Sequence, residues 1–205
     1  MFGIPKSELK ILKKLNTPKK IQDFLNKLPM NFEKGGDTYY SPMTVLKKRT
    51  CHCMEGAALA ALTLRIHGYP PLVMDLEANQ RDLDHVVAVF RKNGRWGAIS
   101  KTNHAVLRYR EPVYGSIREL AMSYFHEYFD DQGRKNLRRY SNPVNLKIFD
   151  KKCWMTTMEK IDYIPEYLSV VKHFSILNRK QISYLRRADQ VEIEAGKVVE
   201  WKDNQ

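Results

Sequence analysis

Thr50-Cys51-His52-Cys53-Met54-Glu55-Gly56-Ala57 crowds two thiols, an imidazole and a carboxylate into eight residues, and His85 and Ser100 follow downstream. A cysteine is nucleophilic as its thiolate. At the start of a helix, unpaired backbone N–H groups and the positive end of the helix dipole favour that form. An imidazole within reach takes the thiol proton and returns it later. Residues of these types suit attack on an amide or ester carbonyl through a covalent thioester. The helix itself is legible. Thr50 is a suitable N-cap, an alanine-rich apolar run reaches Ile66, Gly68 supplies a stop signal, and Pro70-Pro71 prevents continuation.

Helix geometry bears on which cysteine acts, because residues two apart point to different faces. From Cys53 the same face continues through Ala57, Ala60, Ala61 and Leu64, a small-residue stripe suited to packing on a sheet; from Cys51 it runs through Glu55, Ala58, Leu59 and Leu62, a mixed set. This selects Cys53, against the alternative of a buried cysteine acting as a small hydrophobe. Glu55 suits the helix dipole rather than chemistry. Cys153, beside Trp154 and far from any base, reads as core.

The histidine lies on a β-prone run, Asp84 to Arg91. Asn93-Gly94 is a strong two-residue hairpin signal, and Trp96 to Ser100 is the returning strand. If Lys92 faces Arg95, opposed residues sum to 187, so His85 faces Thr102 and Val87 faces Ser100. His85 and Ser100 then share a sheet face as diagonal neighbours, about 7–8 Å apart at Cα and within reach of a side-chain hydrogen bond. Asp84 and Asn103 have the wrong parity, although Asn103 becomes a substitute partner if the strand bends.

Before this core, residues 6–15 and a segment opening at Thr17-Pro18 read as amphipathic helices, the second ended by Pro29. Asn31 to Arg49 reads as a long irregular loop leading into the cysteine helix. Leu72 to Glu77 reads as a strand, and residues 76–84 as a second loop beside the site. Ser116 to Phe129 reads as a helix and Arg134 to Arg139 as a basic turn. Leu146 to Phe149 reads as a strand, and Met158–Leu168 and Gln181–Leu185 as helices interrupted at Pro165.

The chain has 205 residues, 43% hydrophobic and 28% charged, which fits a globular protein with a sizeable core. Residues 1–205 read as one domain, with a core at about 31–150, an N-terminal helical region at 1–30 and a C-terminal helical extension at 151–205. No apolar run approaches the ~18 residues of a membrane span. Three cysteines do not make a disulfide framework, so a cytoplasmic setting is expected. No metal-ligand spacing or phosphate-binding glycine loop is present, and no cofactor or metal is expected. Residues 1–50 hold eleven Lys/Arg and four Asp/Glu, supplying +7 of the net +12. A solvated helix face is the commoner reading of such a bias, and nucleic acid or an anionic surface the rarer.

Cys53-Met54-Glu55-Gly56-Ala57, then His85-Val86-Val87-Ala88-Val89, then Trp96-Gly97-Ala98-Ile99-Ser100 resemble, in order and spacing, the transglutaminase-like superfamily of papain-fold enzymes. Most of the chain is similar to a bacterial branch of transglutaminase-like cysteine peptidases. The resemblance implies an α+β fold in which a nucleophile helix packs on an antiparallel sheet, with extra helices at both ends. It implies a Cys53–His85 dyad acting on a peptide or other amide substrate, by hydrolysis or acyl transfer. Ser100 stands where the superfamily usually has aspartate. It can accept a hydrogen bond from the ring but carries no charge. The Cys53 backbone N–H is the expected oxyanion donor, joined by Tyr39 or Tyr40 from the preceding loop. The rival readings are a binding module that kept the fold and lost the chemistry, favoured by a wide basic cleft, and a binder of nucleic acid or anionic surfaces.

Overall fold

A computed structural model of the chain describes residues 1–203. Its helices are α1 (Lys6–Lys14), α2 (Pro18–Asn26), α3 (Pro42–Lys48), α4 (Cys53–Ile66), α5 (Ile117–Phe125), α6 (Tyr163–Val170), α7 (Arg179–Ser183) and α8 (Gln190–Gly196). Its strands are β1 (Leu72–Ala78), β2 (His85–Lys92), β3 (Arg95–Ile99), β4 (Arg110–Tyr114), β5 (Leu137–Ser141), β6 (Val144–Asn145) and β7 (His173–Ser175). Among the described residues the strands form one sheet in the order β4-β3-β2-β1-β5-β7, with β6 also paired to β1. The pairs are antiparallel. The fold is therefore α+β, with helix α4 on a seven-stranded sheet and helices at both ends. No helix among the described residues is long and apolar enough to cross a membrane.

The β2–β3 hairpin turns on Asn93 and Gly94, both at positive φ (50° and 76°), with Lys92 opposite Arg95 and Ala88 opposite Ile99. This is the register that the turn residues predict, and it carries the strand ends to the site. One face of the sheet (Val73, Val86, Ala88, Phe90, Ile99) packs with α4 in a core that also takes Leu12, Leu25 and Trp154. The other face (Met74, Val87, Val89, Ala98) packs against α5.

Several expectations need correction. Helix α4 begins one residue after His52, which is its N-cap; Thr50 instead donates its hydroxyl to Pro29 O at 3.0 Å. Every residue from Met54 to Leu64 is buried, so the two stripes that distinguished Cys53 from Cys51 are both core. What separates the thiols is position: Cys51 lies outside the helix, fully buried, its backbone bridged to Met30, while Cys53 is the first helical residue. The 31–49 segment is not wholly irregular, because Ser41 caps α3, accepting from Thr44 N–H, and Pro42 opens it.

The basic 134–139 stretch runs into β5, where Arg139 pairs with Glu77 of β1. Residues 146–152 form a 3-10 helix rather than a strand. Cys153 is exposed rather than core: it ends that helix in the left-handed region (φ 51°), and it is Trp154 that is buried. Pro165 sits within the first turn of α6, where it costs no hydrogen bond.

Candidate active site

Cys53 opens α4 and His85 opens β2. By strand parity His85 shares the α5 face with Val87 and Val89, whereas α4 packs on the opposite face. The two side chains meet because both stand at the same end of the sheet, where a cavity of about 590 Å³ is lined by Cys53, His85, Leu107, Tyr128 and the 81–84 loop. Tyr128 fixes that loop by donating its hydroxyl to Leu83 O.

Two imidazoles contact the Cys53 thiol, those of His52 and His85. Burial pushes the thiol up, but hydrogen bonds and positive charge from both rings more than reverse this, holding Cys53 well below the ordinary thiol value. For His52, burial pulls the pKa down, yet contact with Cys53 and the charges of Cys53, Glu55 and Glu33 lift it to about 8. Cys51 behaves oppositely: burial pushes it up to about 12 despite the nearby Lys101.

His85 Nε2 lies 2.8 Å from Ser100 Oγ. That hydroxyl has one hydrogen, and it donates it to Leu107 O at 2.5 Å. A carbonyl can only accept, so Ser100 must be the acceptor toward His85. Nε2 therefore carries the ring hydrogen, and Nδ1 of the neutral ring keeps its lone pair for the thiol. Leu107 holds its place in the left-handed region (φ 58°), a conformation that costs a non-glycine residue about 1–2 kcal/mol. Its N–H is anchored by Glu127 at 2.8 Å, and Glu127 is in turn clamped by Arg110 at 2.6 Å.

Ser100 is itself positioned from a distance. Gln22 of α2 accepts from its N–H at 2.9 Å and donates to its carbonyl at 2.7 Å, acting as a substitute strand neighbour. The next residue, Lys101, is buried with its ammonium on Leu25 O (3.2 Å) and Leu28 O (2.5 Å), at the negative end of α2. Its stem passes so close to α4 that only glycine fits at position 56. Asn103 does not serve the imidazole. It exchanges two hydrogen bonds with the backbone of Trp201, each 2.9 Å.

Neither tyrosine lines the cavity. Tyr39 meets His52 edge-on at 5.9 Å, and Tyr40 lies beneath the Lys48 ammonium at 5.2 Å. Asp84 accepts from Ala78 N–H at 2.8 Å, away from His85.

Sequence reasoning missed the clamp around Glu55. This fully buried carboxylate accepts from His52 N–H (2.9 Å), Tyr40 N–H (2.8 Å), the Thr38 hydroxyl (2.7 Å) and Asn31 Nδ2 (3.1 Å). It pins the 31–40 loop to the start of α4. The signal was present: a glutamate three residues after His52 is the spacing at which an N3 side chain reaches back to the N-cap N–H. Compared with models of known protein families the chain matches none, and it matches no curated protein.

Proposed function

We propose that the protein is a cysteine-dependent acyl-transfer enzyme, an amide hydrolase or acyltransferase of the transglutaminase-like, papain-fold kind. One observation carries this reading: a half-buried thiol at the first residue of a helix, in contact with an imidazole whose far nitrogen is fixed by Ser100. In this scheme His85 Nδ1 takes the Cys53 proton, and the thiolate adds to the carbonyl carbon of a peptide or other amide. The Cys53 N–H, one of the helix-start donors without an intrahelical acceptor, faces the developing oxyanion. Collapse breaks the C–N bond, and His85 returns the proton to the leaving amine. Water or an acceptor amine then gives a proton to His85 and attacks the thioester, and the proton goes back to the sulfur as it leaves.

The cavity wall suits this better than polyanion binding, since Asp82, Asp84, Glu127, Asp130 and Asp131 outnumber Arg81 and Lys101 there.

Alkylation tests the reading. In a Cys153→Ser background, iodoacetamide should label Cys53 with a pH profile whose inflection lies well below the ordinary thiol value of about 8.5. His85→Ala should move that inflection upward, while Cys51 stays unlabelled until the protein unfolds. An ordinary inflection in both proteins would refute the reading.

A further inference from the structure

The proposed chemistry leaves one charge unaccounted for. In the usual Cys-His-Asp arrangement the aspartate offsets the imidazolium that stabilises the thiolate. Ser100 offers no such charge, and its only hydrogen is already given to Leu107 O. Two carboxylates do stand near the nucleophile, but behind the other histidine.

His52 immediately precedes Cys53, and its side chain is only 9% exposed. Its Nε2 lies 3.4 Å from Glu55 Oε1 and 3.5 Å from Glu33 Oε1, at ion-pair range, and makes no hydrogen bond among the described residues. Both neighbours are carboxylate oxygens, which repel a lone pair and favour a hydrogen on that nitrogen. Neither carboxylate is free to swing away. Glu55 is held by four donors, and Glu33 accepts from Thr38 N–H at 2.8 Å while its own N–H is tied to Asn31 at 3.2 Å. The Tyr39 ring, edge-on at 5.9 Å, closes the side toward the loop. The ring also hydrogen-bonds the Cys53 thiol, as the His85 ring does.

Resting on the acyl-transfer reading, we propose that His52 is a second, fixed imidazolium on the nucleophile, whose charge is held against the Cys53 sulfur by Glu33 and Glu55. The duties usually joined in one histidine are then divided. His52 keeps its proton throughout and stabilises the thiolate. His85, tautomerically fixed by Ser100, carries the mobile proton between sulfur, leaving group and acceptor. A carboxylate behind His85 is then less needed, because a second positive charge on the sulfur is offset by Glu33 and Glu55.

The test uses the full chain with Cys153→Ser, following Cys53 alkylation by iodoacetamide from pH 4 to 10. His52→Gln should raise the Cys53 inflection by at least about one pH unit, a roughly tenfold loss of thiolate at any pH below both inflections. Glu33→Gln, which changes a group facing His52 Nε2, should move it the same way by a smaller step. A merely structural role for His52 would not produce that second shift. In the native protein the His52 imidazole, followed by NMR, should titrate near 8, and Cys53→Ser should lower its midpoint. An unmoved inflection in His52→Gln, with unchanged circular dichroism and melting, would overturn the inference while leaving the His85-dependent reading intact. An ordinary inflection in the parent protein would sink both. Should His52→Gln fail to fold, Glu33→Gln and the native titration decide: an unshifted profile, or a His52 midpoint below about 6.5, overturns the proposal.

Discussion

Gly56→Ala should destabilise this protein, against the usual sign for such a change. Alanine is favoured over glycine inside a helix by about 1 kcal/mol, and Gly56 is the fourth residue of α4. A Cβ placed there would stand 2.6 Å from Lys101 Cβ and 3.2 Å from Lys101 Cγ. Carbon atoms prefer about 3.5–4.0 Å, so the helix and the 100–102 segment must part by about 1 Å. Lys101 cannot give way cheaply: the closest atom is its Cβ, next to the backbone, and its ammonium is tied to two carbonyls of the α2 end. Overpacking of this kind costs about 1–3 kcal/mol. Set against the propensity gain, the net is a loss of about 0–2 kcal/mol. The displacement also falls next to Ser100, whose 2.8 Å contact with His85 would stretch out of hydrogen-bonding range. Urea unfolding measures the first effect. The downfield NMR signal of the His85 Nε2 proton, broadened or lost in the variant, reports the second. A Gly56→Ala protein about 1 kcal/mol more stable than the parent, with that proton unchanged, would refute the close-approach argument.

Two further outcomes follow from buried polar groups. Ser100→Asp, which restores the carboxylate of the resembled superfamily, should harm the protein: it would face Leu107 O with an acceptor where a donor now stands. A loss of at least about 2 kcal/mol in urea unfolding at pH 7 is expected, and equal or greater stability would show that the loop re-forms around it. His173→Ala strands Asp75, now paired at 2.9 Å with His173 and raised to about 6 by burial, with the His173 hydrogen bond opposing that rise. A raised folded-state value means a stability contribution that is full below the unfolded carboxyl pKa and lost as pH rises through about 6. Removing His173 extends that loss on top of a pH-independent cost for the deleted buried ring, so the deficit of the variant should be smaller at pH 5 and grow by about 2–3 kcal/mol by pH 8. A deficit independent of pH would contradict this account.

The parts of the fold that sequence reading recovered are those encoded locally. Asn93-Gly94 dictates a turn and with it a register, and the register alone brought Ser100 to His85. Thr17-Pro18 and Ser116 mark helix starts by capping chemistry, and both elements form there. The misses depend on distant partners. β5 is disguised by Arg138 and Arg139: the charge of Arg139 makes sense only once Glu77 of β1 lies alongside, and Arg138 folds back onto Lys135 O and Leu137 O. β4, Arg110-Glu-Pro-Val-Tyr114, is an edge strand with a proline and no apolar alternation. The same limit governs the site. Cys53 and His85 are recognisable by type and spacing. The neighbourhood of His52 is not, because Glu33 reaches it across a loop and Tyr39 only after that loop is pinned by Glu55.

Asn103 grips Trp201 across 98 residues of sequence, and Glu200 N–H reaches back to Asn103 O. The stretch that supplies the serine beneath the His85 ring is thus braced by backbone that the ribosome makes only about a hundred residues later. A nascent chain that has emerged only through β5 already contains both the sulfur and the imidazole, yet lacks this brace. The serine that orients the imidazole would then be held in place only after residues 200–201 have joined the fold, well after the two groups it serves have been made.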